Sequence, residues 1–266
     1  MRQRILTALV LCTLLIGSLA MSNPWYFGAV LIFMLTLGAW EWSGFLQTRR
    51  VGLRVGYVLL VLTLTAVARG FWFAPAQFLS LLQAVVVWWL LAFFWLLRAP
   101  TRVAPWLAGV AGVFALTPTI LVLHRVAATW PHGMALTIWI IAIAAAMDTG
   151  GLFVGRRFGR LKLAPVISPG KTWEGVLGGL SLVLILALVV SRWIPASALP
   201  FIVLCLAAAC LSVVGDLTES LLKRAAGVKD SGRIFPGHGG ILDRIDSVTA
   251  AAPVMALGLI WLGCGT

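Results

Sequence analysis

The chain has 266 residues, of which 61% are hydrophobic and only 11% charged, with a mean hydropathy of +1.04. Soluble domains average about 45–50% apolar and about 25% charged residues, so a water-soluble enzyme, a disordered tail and a collagen-like fibre are excluded. The composition predicts an all-α integral membrane protein, a single membrane domain over 1–266, and at roughly 20 residues per span the length accommodates about eight to ten helices.

Apolar runs taken in chain order predict nine spans, at 5–21, 25–46, 53–68, 77–97, 104–123, 133–155, 173–191, 197–219 and 244–263. Turn and charge signals separate them: Asn23-Pro24, Arg49-Arg50, Arg69-Gly70, Arg98-Ala99-Pro100, Trp130-Pro131-His132-Gly133 and Pro195. The basic start, apolar run and Ser18-Leu19-Ala20 also fit a cleavable leader. The Pro-marked turn leading straight into a second span favours a retained helix. The 13 Trp suit anchor rings at both membrane surfaces. Cys12, Cys205, Cys210 and Cys264 sit singly in apolar runs, without the spacing of a metal or disulfide framework.

With the N-terminus (Arg2 and Arg4) placed in the cytoplasm, alternation of nine spans puts 17 of the 20 basic residues on that side, and only Arg69, Arg125 and Arg192 on the other. The net charge of +12 is therefore a topology signal, and no nucleic-acid partner is expected.

The eight acidic residues are unevenly placed: Glu41 stands alone in the first half, and the other seven lie between 148 and 246. Carboxylates at membrane depth cost a few kcal/mol even on mild insertion scales, so they mark function. Glu41 and residues 1–130 read as helical scaffold and 140–250 as the catalytic region, with a polar site near the cytoplasmic side.

Three constellations carry the chemistry. In the first, Asp148 precedes a loop holding Arg156, Arg157, Arg160, Lys162 and Lys171. The run Ser168-Pro169-Gly170-Lys171-Thr172 is expected to open the next helix, with Glu174 in its first turn. A helix start beside a lysine suits a phosphate chain. It is not a Walker A loop, because the first glycine at the required spacing is missing. The competing structural reading is helix capping by Ser168 or Thr172, with Gly150, Gly151, Gly155, Gly178 and Gly179 serving close helix packing.

In the second, Ser212, Asp216, Glu219, Ser220 and Lys223 share one helix face, which must look onto protein or a watery cavity. A neutralising Asp216–Lys223 network is the structural alternative. In the third, Asp243 and Asp246 are i, i+3, so their like charges call for a cation. Carboxylates together with phosphate oxygens are the usual way Mg²⁺ is held. Lys229, Arg233 and His238 precede them on a glycine-rich loop. A plain salt-bridge cluster around Arg244 is the alternative there.

The run Ser220-Leu-Leu-Lys-Arg-Ala-Ala-Gly-Val-Lys-Asp-Ser-Gly-Arg-Ile-Phe-Pro-Gly-His-Gly-Gly-Ile-Leu-Asp-Arg-Ile-Asp246 resembles the signature of bacterial phosphatidate cytidylyltransferases. The Ile-Ser-Pro-Gly-Lys-Thr-Trp-Glu-Gly segment beginning at Ile167 is also similar to that family. One departure is visible: where many members carry Ala-Tyr, this chain has Gly151-Leu152. The resemblance implies a nucleotidyltransferase of the bacterial inner membrane, with its site facing the cytoplasm. It would convert CTP and phosphatidate into CDP-diacylglycerol and pyrophosphate. It also implies Mg²⁺ dependence, with room for a second, monovalent cation, and a homodimer in membrane lipid. Carried onto these positions, it makes Asp216 and Asp246 metal ligands with Asp243 as their neighbour. Lys171, Lys223, Arg224, Lys229 and Arg233 grip phosphates, and Ser168, Ser220 and His238 hydrogen-bond them. Asp148 orients a cation or ribose. The rival readings are a CTP-dependent lipid kinase and an ion-coupled secondary transporter. Intramembrane carboxylates would suit a transporter, but clustering near one membrane face speaks against it.

Overall fold

The computed structural model describes residues 13–21, 24–71, 74–98, 102–232 and 239–265. Residues 13–20 are helical (α1). Eight long helices follow: α2 (Pro24–Trp42), α3 (Val51–Phe71), α4 (Pro75–Leu97), α5 (Pro105–Thr129), α6 (Gly133–Phe158), α7 (Trp173–Val190), α8 (Ala198–Ala225) and α9 (Leu242–Trp261). All eight are long and apolar enough to cross a bilayer, as the hydropathy pattern predicts. Residues 5–12 of the first predicted span lie outside the described residues, and the rest of it is α1 and the bend that follows. Pro75 and Pro105 stand at helix starts, where a fixed φ and a missing N–H cost nothing. A 3₁₀ turn (Ser43–Leu46) extends α2 and ends at Gln47, whose left-handed φ of 54° turns the chain.

The helices are not equivalent. Of the span of α9, 72% is buried within the protein, against 22% for α7. The run Ala250–Ala252 gives α9 a slim surface on which α4, α5, α6 and α8 all pack. The outer faces of the surrounding helices expose large apolar side chains such as Leu59, Phe94, Leu177 and Val203. The helices α6 and α7 meet through glycine, as expected: a methyl group added at Gly150 would lie 2.8 Å from the Gly178 carbonyl oxygen. The turns after α2, α4, α6 and α8 share one end of the bundle, which carries the basic loops.

Between α6 and α7 the structure corrects the sequence reading. The segment Ser168–Thr172 does not open a helix; it is a strand (β2) paired antiparallel with β1 (Lys162–Ala164). The backbone of this segment pairs with β1 (Lys162 with Thr172, Ala164 with Ser168) in place of helical bonds. The helix α7 begins at Trp173, and the Thr172 hydroxyl caps it by accepting the Gly175 N–H at 3.1 Å. Glu174 reaches back to accept the Leu161 N–H at 3.1 Å and 3.2 Å, one distance to each carboxylate oxygen. The hairpin is thereby fastened to the start of α7.

Candidate active site

The polar cluster forms where α6, α8, α9 and the hairpin meet near the basic end. Its geometry begins with Gly215. A Cβ there would sit 2.5 Å from the Asp246 carbonyl oxygen, so only glycine allows α8 and α9 this close. The close approach sets Asp216 of α8 beside Asp246 of α9. The helical stripe predicted on α8 holds: Ser212, Glu219, Ser220 and Lys223 are buried and Asp216 half-buried.

Asp216 is shared between two neighbours. The Lys171 ammonium, reaching in from β2, lies 2.5 Å from Oδ2. The Ser220 hydroxyl, one turn along α8, donates to Oδ1 at 3.3 Å. Asp246 accepts the N–H of Ser247 through Oδ1 at 2.8 Å. Asp148 comes in from α6 beside the Ser247 hydroxyl and within electrostatic reach of Asp216 and Lys171. Three carboxylates from three helices thus surround one small region. Among the described residues no three His, Cys, Asp or Glu side chains already converge at metal-binding distance.

A second ionic centre surrounds Lys223, which is only 8% exposed. Its ammonium donates to Asp243 Oδ1 at 2.6 Å and lies 3.2 Å from Glu219 Oε1. The pairing therefore differs from the Asp216–Lys223 network considered from sequence: Asp216 takes Lys171, and Lys223 takes Asp243 and Glu219. The other oxygen of Asp243 accepts three hydrogen bonds, from the Ser231 N–H at 3.2 Å, the Ser231 hydroxyl at 3.0 Å and the Gly240 N–H at 2.8 Å. Asp243 is fully committed to protein donors.

Glu41, read from sequence as part of the scaffold, belongs to this centre. It is 2% exposed at the end of α2, and its Oε2 accepts the Leu242 N–H at 3.0 Å and lies 3.1 Å from the Ser231 hydroxyl, whose one proton it shares with Asp243. A side chain at Gly240 would collide with this carboxylate. The first half of the chain thus holds Ser231 in the connection after α8 and Leu242 at the start of α9. A buried carboxylate isolated in an apolar span was the available signal.

The remaining predicted residues are more peripheral. Arg224 is exposed and ties α8 to the hairpin, its Nε donating to the Ile167 carbonyl at 3.3 Å. Ser168 is half-buried on β2 opposite Ala164, and Lys229 is exposed after α8. Arg233 and His238 lie outside the described residues.

Fold and site together define a polytopic all-α membrane protein with an acid-rich ionic centre set among its helices at one end of the bundle. The chain belongs to the cytidylyltransferase family, whose model matches residues 2–261. It is 35% identical over 286 aligned positions to the phosphatidate cytidylyltransferase of Haemophilus influenzae, covering 95% of this chain and 96% of that protein. It is 38% identical over 271 positions to the phosphatidate cytidylyltransferase of Pseudomonas aeruginosa, covering 98% and 97% of the two chains. A shorter match, 43% identical over 127 positions, joins it to the phosphatidate cytidylyltransferase of Bacillus subtilis.

Proposed function

We propose that the protein transfers the cytidylyl group of CTP to phosphatidate, forming CDP-diacylglycerol and releasing pyrophosphate. A phosphatidate oxygen attacks the α-phosphorus, and the bond from that phosphorus to the bridging oxygen of the pyrophosphate breaks. The attacking oxygen is already ionised, so no protein nucleophile or base is required. Catalysis then consists of positioning and charge neutralisation.

The observation that carries this reading is the imbalance of the site. Among the described residues, Asp148, Asp216, Glu219, Asp243 and Asp246 gather around the ammonium groups of Lys171 and Lys223, with Glu41 joined to them through Ser231. An acid-rich centre of hard oxygen donors repels a triphosphate unless cations enter with it, and this donor set fits Mg²⁺. Asp216 and Asp246 would hold the ion, with Asp148 near enough to assist and room for a second, monovalent cation. When bound, Mg²⁺ supplies charge neutralisation to the α-phosphate and the leaving pyrophosphate.

The chain's own groups do the rest. Lys171 exchanges its contact with Asp216 for a substrate phosphate. Lys223, Arg224, Lys229 and Arg233 offer further cationic donors, and Ser168, Ser220 and His238 supply hydrogen bonds. Asp243 acts through others, orienting Lys223 and the Gly239-Gly240 backbone rather than ligating the ion directly.

The basic loops at this end support a cytoplasm-facing site in a bacterial inner membrane, where CTP is available. The resemblance carries the further expectation of a homodimer. Purified protein given CTP, Mg²⁺ and phosphatidate should release pyrophosphate and form CDP-diacylglycerol. Absence of both products from folded protein would refute the reading and revive the transporter.

A further inference from the structure

At the end of the bundle that carries the basic loops, the connection from α6 to α7 mixes charge with apolar surface. Residues 156–162 (Arg-Arg-Phe-Gly-Arg-Leu-Lys) are all exposed, so cationic and large apolar side chains stand side by side. Phe158 is 63% exposed, and Leu161 and Val166 are each 66% exposed. The stretch 156–172 holds five cationic side chains and no acidic one. Of these, Lys171 is taken by Asp216 and Arg160 stands beside Glu174. Arg156, Arg157 and Lys162 pair with no carboxylate among the described residues.

The two helices fix which way this surface looks. Phe153 is exposed on α6, and Arg156 and Arg157 stand three and four residues after it. They continue its face one turn further along, about 5.4 Å nearer the end of the bundle. On α7, Leu177 is exposed, and the exposed Trp173 precedes it by four residues on the same face. Apolar faces that pass into arginine and tryptophan within one turn mark the step from acyl chains to headgroups. A groove of about 450 Å³ opens there between Arg157, Phe158, Gly159 and Arg160. Glu174 also lines it, with both carboxylate oxygens turned to the Leu161 N–H. The arginines in the last turn of α6 complement its dipole as well, but that accounts for neither the groove nor the exposed Leu161 and Val166.

We propose that the hairpin between α6 and α7 lies on the membrane surface and binds anionic phospholipid headgroups. A lipid phosphodiester occupies the groove between Arg157 and Arg160, and Leu161 and Val166 sit at the acyl boundary. Guanidinium groups offer forked N–H donors to phosphate. Basic side chains beside a bilayer favour anionic lipid cumulatively, and apolar neighbours hold them at headgroup depth. The surface is separate from the acid cluster, and the proposal does not depend on which reaction that cluster runs. It ties the strand that carries Lys171 to the bilayer.

The test attaches an environment-sensitive fluorophore to the full chain carrying Val166→Cys in place of its native cysteines. The labelled protein is placed in nanodiscs of dioleoyl phosphatidylcholine with or without dioleoyl phosphatidylglycerol. Phosphatidylglycerol should move the emission to shorter wavelength and cut quenching by acrylamide roughly threefold. Arg156→Gln/Arg157→Gln/Arg160→Gln, all at exposed positions, should abolish the difference between the two bilayers. Arg98→Gln/Arg102→Gln, in another basic connection at the same end, should keep it. If the cysteine-free chain does not fold, hydrogen exchange of the wild-type 159–172 backbone in the same nanodiscs reads the docking and should slow with phosphatidylglycerol. Equal readings in the two bilayers, or a phosphatidylglycerol effect undiminished by the triple substitution, would overturn the proposal.

Discussion

Lys171, on the second strand of the hairpin, places its ammonium 2.5 Å from Oδ2 of Asp216 in the middle of α8. The pair joins two segments that the sequence separates by an entire helix. It also sets the resting state of the proposed site, because the group expected to grip phosphate is occupied by a proposed metal ligand.

Substrate must therefore exchange these partners. Lys171→Met should raise the KM for CTP at least tenfold, since a charge-assisted contact to phosphate is worth roughly 1.5–3 kcal/mol. Lys171→Arg should recover part of the loss. Steady-state kinetics with CTP varied at saturating phosphatidate gives the answer, and an unchanged KM would leave Lys171 a structural latch.

Asp246 and Asp243 should separate by what their loss does. Asp246→Asn keeps size and removes charge, so activity should vanish while the unfolding midpoint stays near wild type. Asp243→Asn strips a buried lysine of its closest carboxylate, a change that costs about 3–5 kcal/mol when a buried pair is broken. It should lower the unfolding midpoint and turnover together. Melting curves beside initial rates distinguish the two, and near-wild-type turnover of Asp246→Asn at limiting Mg²⁺ would remove Asp246 from the ion's site.

Glu41 should matter although it lies at the far end of the sequence from the other acids. Glu41→Ala leaves the buried Leu242 N–H without its acceptor and the Ser231 hydroxyl with Asp243 alone, and should cut kcat tenfold or more. Glu41→Gln retains an accepting oxygen and should recover much of the rate. Equal losses in the two variants would mean that the charge, rather than the hydrogen bonding, is what the site uses.

The spans were legible because a bilayer demands about 20 apolar residues per crossing, and eight described helices meet that demand. The polar face of α8 was legible too, because helical spacing alone aligns Ser212, Asp216, Glu219 and Lys223. The partners were not. Glu41 meets Ser231 and Leu242 across 190 and 201 positions, a juxtaposition that only the packing of α2 beside α9 creates. The hairpin also escaped the sequence reading. Its strands have 3 and 5 residues, too short for an alternating pattern, and Ser168-Pro169 reads as an N-cap followed by the proline that helix starts favour.

Sidedness can be measured directly. Single cysteines placed in the 159–172 and 226–232 connections, in a background without the native cysteines, should resist impermeant thiol reagents in intact cells and react after permeabilisation. Labelling from outside would reverse the proposed orientation and separate the site from cytosolic CTP.

The central claim concerns which phosphorus of CTP reacts. Cytidylyl transfer and lipid phosphorylation both use CTP, a divalent cation and basic side chains, and they differ in where the nucleotide goes. With purified protein, Mg²⁺ and phosphatidate, label at the α-phosphate of CTP should enter the lipid, while γ-label should leave as pyrophosphate. Gamma-label in the lipid with free CDP in solution would contradict cytidylyl transfer and establish a lipid kinase.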